Sequence, residues 1–95
     1  MIELDDCLSP HVAMPQRNRV LVAWRLPCAG LERVRTLLWT CACRATVYEL
    51  CAGGGQAFIR RTTQLEGEFN VHETPPMSIS EARALWADLL CGVAR

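Results

Sequence analysis

The chain has 95 residues, of which 51% are hydrophobic, and its formal net charge at pH 7 is zero. This length and composition fit one domain with a real apolar core and exclude a disordered segment. The basic residues are all arginines, and a neutral domain lacks the positive field that draws a protein to DNA or to an anionic membrane. Direct nucleic-acid binding is therefore disfavoured.

The beginning of the chain shows no targeting pattern. Glu3, Asp5 and Asp6 make it acidic, whereas a signal peptide begins with basic residues. No apolar run approaches the roughly 20 residues that a membrane-spanning helix needs. We therefore expect a cytoplasmic protein with no membrane contact. In a reducing compartment its six cysteines are expected to be thiols rather than disulfides.

Residues 1–17 are acidic and proline-containing and lack periodicity, which predicts a flexible N-terminal arm. A single domain is predicted to follow at residues 18–95. Its first strand is expected at residues 19–26, since apolar and other residues alternate there. The apolar face of that strand would consist of Val20, Val22, Trp24 and Leu26.

The next segment fits two structures. Leu31, Val34 and Leu37 have the spacing of a helical stripe, whereas residues 36–43 alternate like a strand. Threonine, tryptophan and cysteine are poor helix formers and are common in strands. We therefore expect a strand over residues 35–43.

A hairpin is the clearest local signal in the chain. Residues 47–51 and 57–61 are rich in β-branched and aromatic residues, and glycines 53–55 lie between them. Glycine adopts the positive φ angles that tight hairpin turns require. A second turn is predicted at residues 63–67, followed by a last strand at residues 68–73.

In that last strand, Phe69 and Val71 are predicted to face the core. A helix follows, and it begins with Ser78 and Glu81 at the spacing of a capping box. Its apolar stripe is predicted to consist of Ile79, Ala82, Trp86, Leu89 and Val93. The sequence thus predicts an α+β fold, an antiparallel sheet of about four to five strands with one C-terminal amphipathic helix packed on it.

A zinc site is the most specific chemical hypothesis that the sequence supports. Cys41 and Cys43 would lie on one face of a strand. Candidates to complete the ligand set are Cys51, Cys91 and His72. However, alternate residues of a strand lie about 7 Å apart, and buried cysteine often serves as a small apolar residue. We therefore predict no metal site and no cofactor.

The sequence also offers no catalytic constellation. A cysteine or serine nucleophile needs a base and an orienting group. His11 lies in the predicted arm, and His72 and Glu73 are neighbours that point to opposite faces of a strand. Glycines 53–55 precede a strand rather than a helix, so they do not form a phosphate-binding loop. We predict that the protein is not an enzyme.

Arg60 and Arg61 are the candidate contacts to a partner protein, because a guanidinium group pairs well with carboxylates. Strand alternation points the two side chains in opposite directions. Pairing of one of them with Glu49 across the hairpin is the simpler alternative.

The chain has more large apolar residues than a domain with one sheet and one helix needs for its core, which predicts self-association. One helix covers only one face of a sheet, so apolar residues on the other face need a second cover. A second copy of the chain is the simplest cover, which predicts a homodimer. The candidate interface residues are Trp24, Leu37, Trp39 and Leu50.

A pattern runs through VYELCA at residues 47–52, FIRR at 58–61, HET at 72–74 and ALWADLLCGVAR at 84–95. In these stretches the chain resembles the BldB-like small developmental regulators of sporulating actinobacteria, and the likeness extends over about residues 19–95. The resemblance implies a cytoplasmic regulator of development, secondary metabolism or transcription that self-associates. It also implies a helix-turn-helix transcription regulator as a candidate partner.

The function expected from the sequence is therefore that of a non-enzymatic regulatory protein that acts through homo-oligomerisation and protein–protein contacts. The alternative is a small zinc-binding or nucleic-acid-binding module. Metal content would test the first alternative, and salt-dependent binding to DNA would test the second.

Overall fold

The computed structural model describes residues 9–27 and 33–95. Within them the elements are β1 Arg35–Trp39, β2 Thr46–Gly53, β3 Gln56–Leu65, β4 Glu68–Glu73 and α1 Ile79–Leu90. The strands form one antiparallel sheet in the order β1-β2-β3-β4, and α1 packs on one face against β2 and β3. The predicted α+β fold is confirmed. In this part of the chain no helix is long and apolar enough to cross a membrane.

Both predicted turns are present and have the same geometry, although residues 63–65, predicted as part of the second turn, belong to β3. Gly54 and Gly55 join β2 to β3 with φ angles of 58° and 78°. Glu66 and Gly67 join β3 to β4 with φ angles of 52° and 83°. Two consecutive positive φ angles are typical of the type I′ turn, whose twist matches that of the flanking strands.

The capping box at the start of α1 is confirmed. The Ser78 hydroxyl accepts a hydrogen bond from the Glu81 amide at 3.2 Å, and the Ser78 amide donates to the Glu81 carboxylate at 3.1 Å. The bonds from the Ser78 backbone and side chain hold the pKa of the Glu81 carboxyl below its usual value. Two orphan amides of the first turn are satisfied in this way.

The core lies between α1 and the sheet. Leu50 of β2 and Ile59 of β3 face each other across the strands and are fully buried. The whole buried cluster consists of Tyr48, Leu50, Ala57, Ile59, Ala82, Trp86, Leu89 and Ala94. The predicted helical stripe is thus correct at its centre. Ile79 is an exception because it lines a surface groove beside the glycine turn and remains 45% exposed.

The predicted first strand at residues 19–26 is wrong. This segment is extended but makes only isolated bridges, Val20 with Ala94 and Arg25 with Glu73. Its two ends therefore pair with different parts of the chain, the C-terminal residues and the edge of β4. An alternating pattern produces a strand only where successive residues pair with one neighbour.

The strand predicted at residues 35–43 ends earlier, at Trp39. The backbone amide of Thr40 still donates to the Tyr48 carbonyl at 2.9 Å, but the Tyr48 amide donates to the Thr40 hydroxyl at 2.9 Å. A side-chain oxygen thus takes the place of a backbone carbonyl. The chain then leaves the sheet in a turn over residues 42–45.

The face predicted for Phe69 and Val71 is also wrong. Val71 pairs with Thr62, and Thr62 pairs with Val47, in a row on the sheet face away from α1. Phe69 lies on the same face and is 65% exposed. The period of two is the same whichever face is covered, so the alternation alone could not identify the core side.

Part of the predicted arm is docked on the domain. The Pro10 carbonyl accepts from the Cys41 amide at 2.9 Å, and the Ala13 amide donates to the Leu90 carbonyl at 2.8 Å. Residues 10–13 therefore run from the turn after β1 to the end of α1. The part of the arm before residue 9 lies outside the described residues.

Gly92 permits this close approach of the arm. Its φ angle is 79°, and a Cβ atom at this position would clash with the backbone carbonyl of Met14. The Gly92 carbonyl also accepts from the Gln16 amide at 2.8 Å. Only glycine combines this conformation with so close a backbone contact.

Candidate functional site

A cluster of one histidine and two cysteines lies where the arm meets the turn after β1. His11, Cys41 and Cys43 place their potential ligand atoms within 4.8 Å of one another, and His11 Nε2 lies 3.2 Å from Cys43 Sγ. Cys41 is buried, whereas His11 and Cys43 are exposed. We call these three residues the His–Cys cluster.

The end of β1 determines where the two cysteines lie. Because Thr40 is hydrogen-bonded to Tyr48 through both its backbone and its hydroxyl, the chain is fixed at the point where it leaves the sheet. The Cys41 amide then bonds the arm at Pro10. The turn that follows brings Cys43 back towards Cys41, which an extended strand would not do.

The arm determines where His11 lies. Backbone hydrogen bonds flank it on both sides, from Cys41 to Pro10 and from Ala13 to Leu90. The imidazole is thus held beside the cysteines although it is 30 residues away from Cys41 in the sequence. Such an arrangement can hold a metal ion, because imidazole nitrogen and thiolate sulfur are its common ligands.

The residues of the cluster differ from the zinc-ligand candidates that the sequence suggests. Cys51 is fully buried in β2, where burial raises the pKa of its thiol. His72 lies in β4, and Cys91 is exposed at the end of α1. None of these three belongs to the cluster found among the described residues. His11 was missed because its segment was expected to be flexible.

A second candidate site is the exposed part of the sheet face away from α1, which we call the open face; the part of that face near the glycine turn is buried. Trp39 is 54% exposed and Phe69 is 65% exposed. Between them on the same face lie Val47 and Val71, both half-buried. The open face therefore presents two large aromatic side chains and two valines along one end of the sheet.

A charged row borders these apolar residues. Trp39 pairs with Glu49, Glu49 with Arg60, and Arg60 with Glu73 across the four strands. The Arg60 guanidinium lies 3.0 Å from the Glu73 carboxylate and 3.8 Å from that of Glu49. The Thr36 hydroxyl donates to Glu49 at 3.1 Å. The pairing of an arginine with Glu49 across the hairpin is thus present.

Arg61 points to the other face, as the alternation predicted. Its guanidinium carbon lies 4.6 Å from the centroid of the Trp24 ring, a cation–π geometry. The Trp24 ring in turn lies 5.9 Å from that of Tyr48. Arg61 is therefore stacked within the domain, and Arg60 is held by two carboxylates, so both predicted partner contacts make intramolecular interactions.

The four predicted interface residues do not lie together. Leu50 is fully buried in the core beneath α1, and Trp24 packs against that core. Leu37 is half-buried at a bulge in β1, where the register shifts between residues 36 and 38. Trp39 alone of the four is exposed on the open face.

A surface groove beside the glycine turn is lined by Arg33, Arg35, Gln56 and Ile79, among others. Its two arginines are exposed. The adjacent start of α1 is not available to an anion, because the Glu81 carboxylate already occupies that end of the helix. The groove therefore offers positive charge without a convergent set of hydrogen-bond donors.

Comparison with known proteins gives no match to this chain: no protein-family model, no curated protein and no solved structure. The resemblance to BldB-like regulators therefore stays a prediction. The open face and the His–Cys cluster are the two features of the described residues that bear on function.

Proposed function

We propose that this protein is a non-enzymatic cytoplasmic regulator that forms a homodimer through its open face. The exposure of Trp39 is the observation that carries the proposal. More than half of the surface of this tryptophan is exposed, and Phe69 on the same face is exposed as well. Exposed aromatic side chains on one surface are typical of protein–protein interfaces.

A second copy suits the open face because that face carries both signs of charge. Glu49, Arg60 and Glu73 alternate in sign across the sheet, next to the apolar residues. In a two-fold interface the same patch faces itself, and because Arg60 is paired with Glu49 and Glu73 inside its own chain, the row brings little charge repulsion between the two copies. A surface with a single sign would repel its own copy.

The regulatory role is supported by the resemblance to BldB-like proteins, which implies a helix-turn-helix regulator as partner. A chain of zero net charge has little electrostatic attraction for DNA, so action through a DNA-binding partner is favoured over direct binding. The dimer would present α1 of each copy outward, on its two opposite sides, for such contacts.

Sedimentation equilibrium of the reduced protein tests the dimer. The expected mass is that of two chains for the wild type and of one chain for Trp39→Glu, because a buried charge without a partner opposes association. Trp39 is exposed in the single chain, so the far-ultraviolet circular dichroism of the variant should be unchanged.

Leu21→Glu is the matched control. Leu21 is 76% exposed but lies in the extended segment outside the sheet, so this variant should remain a dimer. A monomeric wild type would refute the proposal. A folded Trp39→Glu variant that remains a dimer would show that the open face is not the interface.

A further inference from the structure

We infer that the His–Cys cluster binds one Zn²⁺ ion through His11, Cys41 and Cys43. The three side chains come from two segments of the chain that meet only in the folded domain. Imidazole nitrogen with two thiolate sulfurs is a borderline-soft donor set, which zinc prefers to the oxygen ligands of calcium or magnesium.

The distances suit this ion. Ligand atoms around a tetrahedral zinc lie roughly 3.5 to 3.8 Å apart, from its usual bond lengths to nitrogen and sulfur. In the cluster these atoms all lie within 4.8 Å of one another. Because His11 and Cys43 are exposed, their side chains can make the remaining adjustment without disturbing the core.

The backbone around the cluster is already fixed. The hydrogen bond from Cys41 to Pro10 joins the two ligand-bearing segments directly beside the ligands. Thr40 anchors one segment to the sheet, and Ala13 anchors the other to the end of α1. An ion bound here would fasten the arm to the sheet, and its binding free energy would add to the stability of the fold.

Neither simple packing nor cysteine catalysis requires all three side chains of the cluster. The buried Cys41 could simply pack as a small apolar residue, but the exposed Cys43 beside an imidazole does not fit that role. A catalytic cysteine–histidine pair would use the 3.2 Å contact between Cys43 and His11 but has no use for a second thiol at the same point. A zinc ion uses all three groups.

His11, Cys41 and Cys43 supply three of the four ligands of a tetrahedral zinc ion, and a water molecule can take the fourth position.

Metal loading of the whole reduced chain tests the inference. The protein is kept reduced with a phosphine, incubated with zinc chloride, desalted, and its zinc content measured by elemental mass spectrometry. The expected result is one zinc per chain. Cobalt(II) in place of zinc should give thiolate charge-transfer bands and the visible bands of a tetrahedral ion.

His11→Ala and Cys43→Ser are the decisive variants, since both residues are exposed and neither change disturbs the core. Each should weaken zinc binding by more than the roughly 10- to 100-fold that is typical of outer-shell changes. His72→Ala and Cys91→Ser replace the same residue types outside the cluster and should retain full zinc content. Circular dichroism of each metal-free variant checks that it is folded.

A wild type without zinc would overturn the inference, as would equal zinc affinity in Cys43→Ser and the Cys91→Ser control. The zinc measurement does not depend on whether the chain dimerises.

Discussion

The two faces of the sheet are built from the same strands yet have different surroundings. On one face Leu50 and Ile59 are fully buried beneath α1, whereas on the other Trp39 and Phe69 are largely exposed. Alternation produces both faces equally well, and the face away from α1 is exposed only in part, because Cys51 and Phe58 on it are also buried. Large apolar residues of this chain therefore lie both in the core and on the exposed part of the opposite face.

The largest expected effect is the loss of stability when the covered face is truncated. Leu50→Ala removes a fully buried side chain and leaves a cavity, which should lower the free energy of unfolding by about 2 to 5 kcal/mol. Phe69→Ala on the open face should change it by no more than about 0.5 kcal/mol in the monomer. Urea unfolding of both variants in the Trp39→Glu background measures this without a contribution from association.

Equal losses for Leu50→Ala and Phe69→Ala would contradict the assignment of the two faces. The Trp39→Glu background is necessary because dimer formation stabilises the folded chain to an extent that depends on protein concentration. Each variant is therefore compared with Trp39→Glu alone.

A smaller effect is expected from a buried hydroxyl at the end of β4. Thr74 is 2% exposed, and its hydroxyl accepts a hydrogen bond from the Ile59 amide at 3.0 Å. Thr74→Val keeps the shape but leaves that amide without its partner, at a cost of about 1 to 3 kcal/mol. Thr62→Val, at a half-buried position on the open face, is the control and should be nearly neutral. A comparable loss in both variants would show that the hydrogen bond from Ile59 to Thr74 is not the cause of the effect.

The smallest effect concerns the helix that covers the core. Ser78→Ala removes the N-cap hydroxyl and should cost about 1 kcal/mol at pH 7. The pKa of Glu81 is lowered in the folded protein, so its contribution is present above the ordinary glutamate pKa and is lost as the pH falls through the lowered value.

Thermal unfolding from pH 7 into the acid range therefore tests the capping box. The difference in melting temperature between the wild type and Ser78→Ala should decrease at low pH. A difference that stays constant would show that Glu81 does not contribute through its charge. The dimer should be unaffected, since Ser78 and Glu81 lie on the helix side of the sheet.

The sequence predicted the elements that depend on local signals. The glycine turn at Gly54 and Gly55, the capping box of Ser78 and Glu81, and the strand at residues 68–73 have direct steric or hydrogen-bonding causes. Such causes act within a few residues, so they can be recognised without knowledge of the fold.

Features that depend on distant contacts could not be predicted. The segment at residues 19–26 is not a strand because its ends pair with different partners. Phe69 faces away from the helix and is exposed. The sequence predicts the wrong face for it because nothing in a period of two identifies the covered side. The bulge next to Leu37 shifts the register of β1, and no local signal in the sequence indicates it.

The His–Cys cluster was missed for a related reason. Strand geometry predicts that Cys41 and Cys43 lie about 7 Å apart, but the strand ends at Trp39 and a turn brings them closer. His11 is placed by backbone hydrogen bonds of the arm, and these have no side-chain signature in the sequence. The spacing of Cys41 and Cys43 can be read from the sequence, whereas the proximity of His11 to them cannot.

The central claim, that the open face is covered by a second copy, is tested most directly by the solvent access of Trp39. Hydroxyl-radical footprinting across a dilution series compares the oxidation of Trp39 with that of Trp24, which packs against the core of its own chain. We expect oxidation of Trp39 to fall as the concentration rises and the mass doubles, while oxidation of Trp24 stays constant. Oxidation of Trp39 that is independent of concentration, in a sample whose mass doubles, would contradict the claim.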